Sequence, residues 1–337
     1  MAYGIKKLRK LQLGRETTAG TNTDGTTIWR GTGTIENVLD IIHIDEDVGY
    51  ITTIARTAIP KNVASLELEE TPATFEQFKH ILEMGVLTTT PTTDGGAGTG
   101  KVYTYTMPTT TVSTQGTIKT YTIEGGDNAG QEIAPYFFCK SFNLSGEAGG
   151  PLNMSANLMG KSVTTTTFAT TATLPTVETI LFSKGTLAID TAGGTMGYTN
   201  KAGTLLAANL DVETGYKEIY TGDGALAFGF IKNTGPKITL DVTFEHEDVA
   251  IAEIAAWRAE TVRLIELKFI GSAFATAGTS YTYKTLKVSL AGKWESFSKI
   301  GEKDGNDIVV GTFYPEYDST SGKFAEFVVV DSEASIP

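Results

Sequence analysis

The segment LTTTPTTDGGAGTGKV (87–102) places Gly95, Gly100 and Lys101 at the GxxxxGK spacing of a phosphate-binding loop. Such a loop presents backbone N–H groups at a helix N-terminus, with a Ser or Thr after the lysine to reach a metal. Here Val102 follows the lysine and VYTYTM (102–107) continues as a strand, so phosphate binding is not expected. The three histidines, His43, His80 and His246, are far apart. His246 stands among Glu245, Glu247 and Asp248, which reads as a strand-to-helix corner with Asp248 as N-cap, where carboxylates suit the positive helix end. In HIDED (43–47), His43, Asp45 and Asp47 alternate as a solvated strand face does, with calcium binding as the alternative. Cys139 neighbours Lys140 but has no histidine near it in sequence, so a structural cysteine is expected rather than an activated thiol. No Ser-His-Asp set can be assembled. NLS (143–145) and NMS (153–155) match glycosylation sequons, which matter only on a secretory route. The chain is therefore expected not to be an enzyme, and to hold no cofactor or metal.

The 337 residues are expected to form two domains, and 37 glycines with many threonines favour strands and turns over helices. A net charge of -12 argues against a surface that grips nucleic acid, because phosphate binding needs clustered Lys and Arg. One basic group interrupts it, Lys6, Lys7, Arg9 and Lys10, with Arg15 behind: either a solvated terminus or an arm that docks on an acidic neighbour. A single cysteine excludes an intrachain disulfide, and MAYGIKKLRKLQLG lacks the apolar core of a secretory signal. No apolar run is long enough for a membrane helix.

Residues 1–34 are dense in Gly, Thr and Asn and read as an extended arm. IIHIDEDVGYITTIART (41–57) and NVASLELEE (62–70) read as strands. A helix is expected at 73–85, with Pro72 near its start, Phe75, Phe78 and Leu82 on one face, and Gly85 as C-cap. FFCKSFNLSGEAGGPLNMSANLMGK (137–161) alternates on both sides of a glycine-rich turn, giving a half-buried hairpin. The plan then recurs. Gly215 and Tyr216 match Gly49 and Tyr50, KITLDVTFEHE (237–247) is a strand, and a second helix spans 248–260 with Val249, Ala252, Ala256 and Ile251 or Ile254 inward. YTYKTLKVSLAG (281–292) answers the hairpin. The expected division is an arm (1–34), a first domain (35–163), a linker (164–179) and a second domain (180–337). Loops are expected at 87–116 and around GDG in 217–230.

GRETTAGT, the hairpin CKSFNLSGEAGGPLNMSANLMGK, LPTVETILFSKGTLAID, and DVETGYKEIYTGDGALAFGF leading into TLDVTFEHED occur in an order that resembles the major tail tube proteins of long-tailed, non-contractile bacteriophages. The resemblance covers most of residues 11–330 and rests on order and spacing, since none of these strings is diagnostic alone. It implies a mainly β fold of two tandem sandwich or barrel units, each with a flanking helix and a long hairpin that joins an intersubunit barrel. It implies a virion protein, assembled in the host cytoplasm into trimeric rings with six pseudo-equivalent positions, which stack into a channel for the genome. Its partners would be itself, a tape measure protein inside, and terminator and distal tail or baseplate proteins at the ends, with DNA passing unbound and no membrane involved. The channel wall would be Ser141, Asn143, Ser145, Asn153, Ser155 and Asn157, with Thr285, Lys287 and Ser289 from the second unit, where Lys287 fits poorly. Ring stacking would use Lys6, Lys7, Arg9, Lys10, Tyr220, Asp223 and Phe228. The end of the chain soon after FAEFVVV (324–330) is expected to leave no room for the immunoglobulin-like addition of some relatives. Rival readings are a terminator or distal tail protein, an extracellular adhesive or surface-layer protein, and a glycan hydrolase with paired carboxylates.

Overall fold

The computed structural model describes residues 3–52, 55–107 and 116–337. In chain order the first half contains β1 (Lys10–Arg15), β2 (Thr27–Ile28), β3 (Gly33–Asp45), β4 (Ala55–Pro72), α1 (Phe75–Gly85), β5 (Thr92–Thr93), β6 (Lys101–Thr106), β7 (Tyr121–Gly126), β8 (Gln131–Glu147), β9 (Leu152–Gly160) and β10 (Thr164–Thr165). The second contains β11 (Gly185–Thr191), β12 (Leu205–Glu213), β13 (Tyr216–Ile219), β14 (Phe230–Asn233), β15 (Lys237–Glu245), α2 (Asp248–Arg258), β16 (Arg263–Ala273), β17 (Tyr283–Phe297), β18 (Gly301–Lys303), β19 (Asn306–Pro315) and β20 (Ala325–Asp331). The fold is mainly β.

One order of antiparallel pairing occurs twice: β1–β7–β8–β9–β4–β3, then β11–β16–β17–β19–β15–β12. β10 adds to β8 as β20 adds to β17. The halves meet where β8 pairs with β12, from Glu147↔Ala207 to Ser141↔Glu213. This junction makes one continuous sheet, β3–β4–β9–β8–β12–β15–β19–β17. Buried residues from Leu11 to Ile336 form one core behind it, so the halves share an interior rather than folding around separate cores.

The registers give residue-by-residue equivalences. Ser141↔Asn157 corresponds to Ser296↔Thr312, a step of 155 (296 − 141 and 312 − 157), and a bulge follows Cys139 as one follows Trp294. Ile35↔Leu66 corresponds to Leu210↔Leu240, steps of 175 (210 − 35) and 174 (240 − 66). The same steps carry Ile42↔Ala58 onto Lys217↔Lys232. Gly49 therefore corresponds to Gly224 and not to Gly215; both occupy left-handed backbone, φ 80° and 89°, which explains the glycine at each tip. Likewise YTYKTLKVSLAG is not the second hairpin. That hairpin is SFSKIGEKDG (296–305), matching SFNLSGEAGG (141–150) at the step of 155.

α1 starts at Phe75 rather than at the expected residue 73 because Pro72 closes β4 and Thr74 is the N-cap, accepting from Gln77 N at 3.2 Å. Every residue of α1 is buried. Its charged groups are paired: Glu83 takes Arg15 at 2.6 and 2.8 Å, Lys79 takes Asp331 and Glu333, and Glu76 takes Lys284 at 2.6 Å. Burying an unpaired charge would cost several kcal/mol, so these pairs permit a fully enclosed helix. Gly85 is the last helical residue rather than the cap. A Cβ there would lie 2.9 Å from Thr214 and 3.1 Å from Cys139, so close approach is its reason. In α2, Ala250, Glu253 and Ala256 point inward while Ile251 is exposed, because Glu253 binds Arg263 and Trp294 Nε1, each at 2.9 Å. Asp248 lies in the first turn, and the N-cap position is Glu247.

Residues 10–34 are not an arm. Leu11, Leu13 and Trp29 are core residues, and β1 lies between β2 and β7. The Gly/Thr density that suggested a loop is organised by buried Glu16, which accepts from Gly20 N, Thr120, Thr122 and Tyr136 N at 2.6–2.9 Å. The expected linker is tied to this region through Thr173 N to Thr26 O and Ile28 N to Thr173 O. Within the expected 87–116 loop, β5 and β6 pair, Gly100–Lys101 leads into a strand, and 108–115 lie outside the described residues.

His80 Nδ1 lies 3.0 Å from Tyr121 Oη, whose hydroxyl donates to Glu83 at 2.8 Å. The tyrosine proton being so used, His80 donates from Nδ1. Burial, then Lys79 and Arg15, push the His80 pKa down to about 3. The unfolded chain takes up this proton near pH 6.5 and the folded chain does not, so the contribution of His80 to stability is present above that value and is lost as pH falls towards 3. Asp331 acts oppositely: burial raises it to about 6 against the pull of Lys79, so its contribution falls as pH rises through that value. In His80→Gln, the rise of unfolding free energy between pH 4 and 6.5, measured by urea titration, should be shallower by up to about 1.4 kcal/mol per pH unit.

Candidate functional site

Around the first hairpin the eight-stranded sheet turns its apolar side chains to the core and leaves its other face open, while farther along Val63 and Phe138 are covered by the β13–β14 hairpin. Phe142, Leu144, Leu152, Met154, Ala156 and Leu158 are buried, whereas Ser141, Asn143, Ser145, Asn153, Ser155 and Asn157 are not. The registers set the polar residues in rows across the strands. One row runs Asn153, Ser145, Asn209, Asp241, Thr312, Ser296. A second runs Glu67, Asn157, Ser141, Glu213, Lys237, and a third Ser155, Asn143, Asp211, Thr239.

Side chains within the rows bond one another. Asn143 donates to Asn209 and Asp211, both at 2.7 Å, Asn209 donates to Asp211 at 2.8 Å, and Thr312 donates to Asp241 at 2.7 Å. Asn157 donates to Ser141 at 3.1 Å and Asn153 to Glu70 at 2.7 Å. Carboxylates Glu67, Asp211, Glu213 and Asp241 outnumber the one cation of these rows, Lys237. At the hairpin turn Lys303 and Glu147 pair at 2.7 Å, which holds the Glu147 carboxyl below its usual range. Two shallow depressions of about 460 and 430 Å³ lie along this face. It can present hydrogen bonds and negative charge to water, and it gathers no nucleophile with a base.

The structure thus brings together the six polar residues expected of the first hairpin. It does not bring Thr285, Lys287 and Ser289 to them. These lie in the part of β17 between β16 and β20, where Thr285 and Ser289 are buried and Lys287 binds Glu266 at 2.9 Å. The error followed from taking 281–292 as the second hairpin. Asn209, Asp211, Glu213, Asp241 and Thr312 are the residues the sequence reading missed. Alternation marked their strands, but only the β8–β12 pairing shows that they share a face with Asn143. Of the other nominated residues, Lys6, Lys7 and Arg9 are exposed, and Lys10 Nζ lies 4.3 Å from the Phe168 ring centroid. Tyr220 lies under Lys61 and Asp223 accepts from Thr221 at 2.9 Å. Phe228 is not available to an outside partner, being buried against Tyr136 and Phe138. Cys139 is also buried, which pushes its thiol up and leaves it unreactive.

The sheet has two open edges. Among the described residues β3 pairs with β4 alone, and β17 beyond Gly292 pairs with β19 alone. Thr32 O accepts from Glu69 N, so even residues of β3 turn to β4 and Gly33, Ile35 and Asn37 turn to the open side. Ser298 N donates to Val310 O, so Phe297 and Lys299 turn outward from β17. In the equivalent part of β8, Lys140 and Ala148 bond Thr214 and Leu206 next to β12.

The chain matches no protein-family model and no curated protein. Among the described residues no group of three or more His, Cys, Asp or Glu side chains could hold a metal ion, and no helix is long and apolar enough to cross a membrane.

Proposed function

We propose that the chain is a phage tail tube subunit, a structural virion protein that closes head-to-tail into rings and stacks into a channel for DNA. One observation carries this reading: the internal junction joins β8 of the first repeat to β12 of the second, and the chain leaves free the two equivalent edges, β3 and the end of β17. A second copy can then continue the sheet by repeating a junction the chain already makes. Stepping the β8–β12 register by 155 and 175 gives Gly33↔Gly301 through Val38↔Ser296 between copies. The contact is heterologous, so it generates a ring if the rotation closes. Three copies give six like junctions and, at eight strands each, a wall of 24 strands. Pairing also disposes of edges that would otherwise invite aggregation.

The polar face becomes the inner wall. Its carboxylates, amides and hydroxyls hold water and offer passing phosphates no cationic well. The basic N-terminus supports the same arrangement: Lys6, Arg9 and Lys10 lie beside Gly33 and Thr34, and the register carries the neighbour's Glu302 and Asp304 there. Negative-stain images of the purified protein test the proposal, which requires rings or striated tubes with a central hole.

A further inference from the structure

The outer hairpins of the two repeats correspond along their strands, 42–44 and 56–58 matching 217–219 and 230–232, but have different surroundings. The β13–β14 hairpin lies over the first half: Tyr216 and Phe228 are buried with Val63, Ile118, Tyr136 and Phe138, and Tyr216 Oη donates to Gly116 O at 3.1 Å. Glu218 of that hairpin binds Lys140 at 3.3 Å. The corresponding part of β3–β4 has no comparable buried cluster among its described residues, and Ile41, Ile42, Tyr50 and Ile51 are 48%, 48%, 71% and 106% exposed. A cluster of this kind on one projecting element marks an interaction surface.

The second half contains the matching receptor, in which no strand of its own chain lies among the described residues and Glu295 O accepts from the Trp257 indole N–H at 3.0 Å. A pocket of about 560 Å³ is lined by Trp257, Arg258, Glu260, Lys293, Glu295 and Tyr314, with Trp294 and Glu316. The step of 155 carries Phe138, Cys139, Lys140, Met159 and Lys161 onto Lys293, Trp294, Glu295, Tyr314 and Glu316. Arg258 ends α2 as Gly85, which touches Thr214, ends α1. The pocket is thus the counterpart of the cradle that receives β13–β14, and the step of 175 says what enters it: Leu39 stands for Thr214, Ile41 for Tyr216, and His43 for Glu218.

We propose that this pocket receives the β3–β4 hairpin of a neighbouring copy, with Ile41 against Lys293 and Tyr314 and with His43 donating to Glu295. The inference rests on the head-to-tail reading above and adds to it a lock outside the sheet. The polarity of the charge pair is exchanged between the junctions. Within the chain the hairpin brings a carboxylate to Lys140; between chains it brings an imidazole to Glu295. Each hairpin therefore suits its own receptor and meets like charge or a missing partner at the other, which keeps the two junctions distinct.

The experiment is a charge exchange read by the critical concentration for assembly, measured by sedimentation on full-length protein. Both positions are exposed, and thermal melts should show each variant folded as the parent is. Glu295→Lys and His43→Glu should each raise the critical concentration at least about tenfold, because like or unmatched charges then face one another. The double variant recreates the polarity of Glu218 and Lys140 and should return to within about threefold of the parent. If the single variants assemble as the parent does, or if the double variant fails to recover, the pocket assignment is wrong while ring formation by the sheet edges stands. A parent that forms no assembly at any concentration overturns both.

Discussion

Asn37→Pro and Lys299→Pro are each expected to abolish rings and tubes while leaving a folded monomer. Both positions turn their N–H to an open edge, so proline removes no bond that the chain makes internally. Each blocks one side of the same intersubunit ladder, where Asn37 would face Phe297 and Ile35 would face Lys299. Asn37→Pro keeps a usable β17 edge and Lys299→Pro a usable β3 edge. An equal mixture should therefore form heterodimers and nothing larger, since one good junction remains per pair. Sedimentation velocity distinguishes the outcomes. Tubes from either variant alone would show that the edges do not carry assembly, and homodimers would show an isologous contact instead of a head-to-tail one.

Reversal of charge on the open face should have the second large effect. Glu67→Lys, Asp211→Lys and Asp241→Lys together change three carboxylates per chain to three cations, on β4, β12 and β15. Lysine at Asn153 or Asn157 would act less, because Glu70 and Glu67 stand beside those positions and would pair with it. A ring of three copies would then offer nine cations. Six to ten phosphate contacts change affinity by roughly 10³–10⁵ between about 50 and 200 mM salt. Assembled tubes of the variant should retain double-stranded DNA at low salt and release it at high salt, whereas parent tubes retain none at either. Retention by the parent, or none by the variant, would remove this face from the channel.

Period-two alternation was enough to place the strands of FFCKSFNLSGEAGGPLNMSANLMGK and the polar set on one side of them, because side-chain direction is a local property of a strand. Phe75, Phe78 and Leu82 likewise revealed α1. What could not be read locally was pairing between distant segments. The reading of residues 10–34 as an arm failed because Glu16 and Arg15 find most of their partners far along the chain, among them Thr122 of β7, Tyr136 of β8 and Glu83 of α1. The second hairpin was misplaced because 281–292 alternates as well as 141–145 does, and the better signal, Ser-Phe then Gly-Glu then Gly at 141–150 and again at 296–305, is sparse. Asn209, Asp211 and Asp241 belong to the open face by virtue of one junction, β8–β12, which no spacing in the chain announces.

That junction is the centre of the account, and electron cryo-microscopy of the assembled protein tests it most directly. The expected map shows a ring of chains in which β3 of one copy lies antiparallel to the end of β17 of the next, with Gly33 opposite Gly301 and Val38 opposite Ser296, and with Ser141, Asn143, Asp211 and Asp241 facing a central channel. A density map in which these edges remain unpaired, or in which that polar face lies on the outside of the assembly, would contradict it.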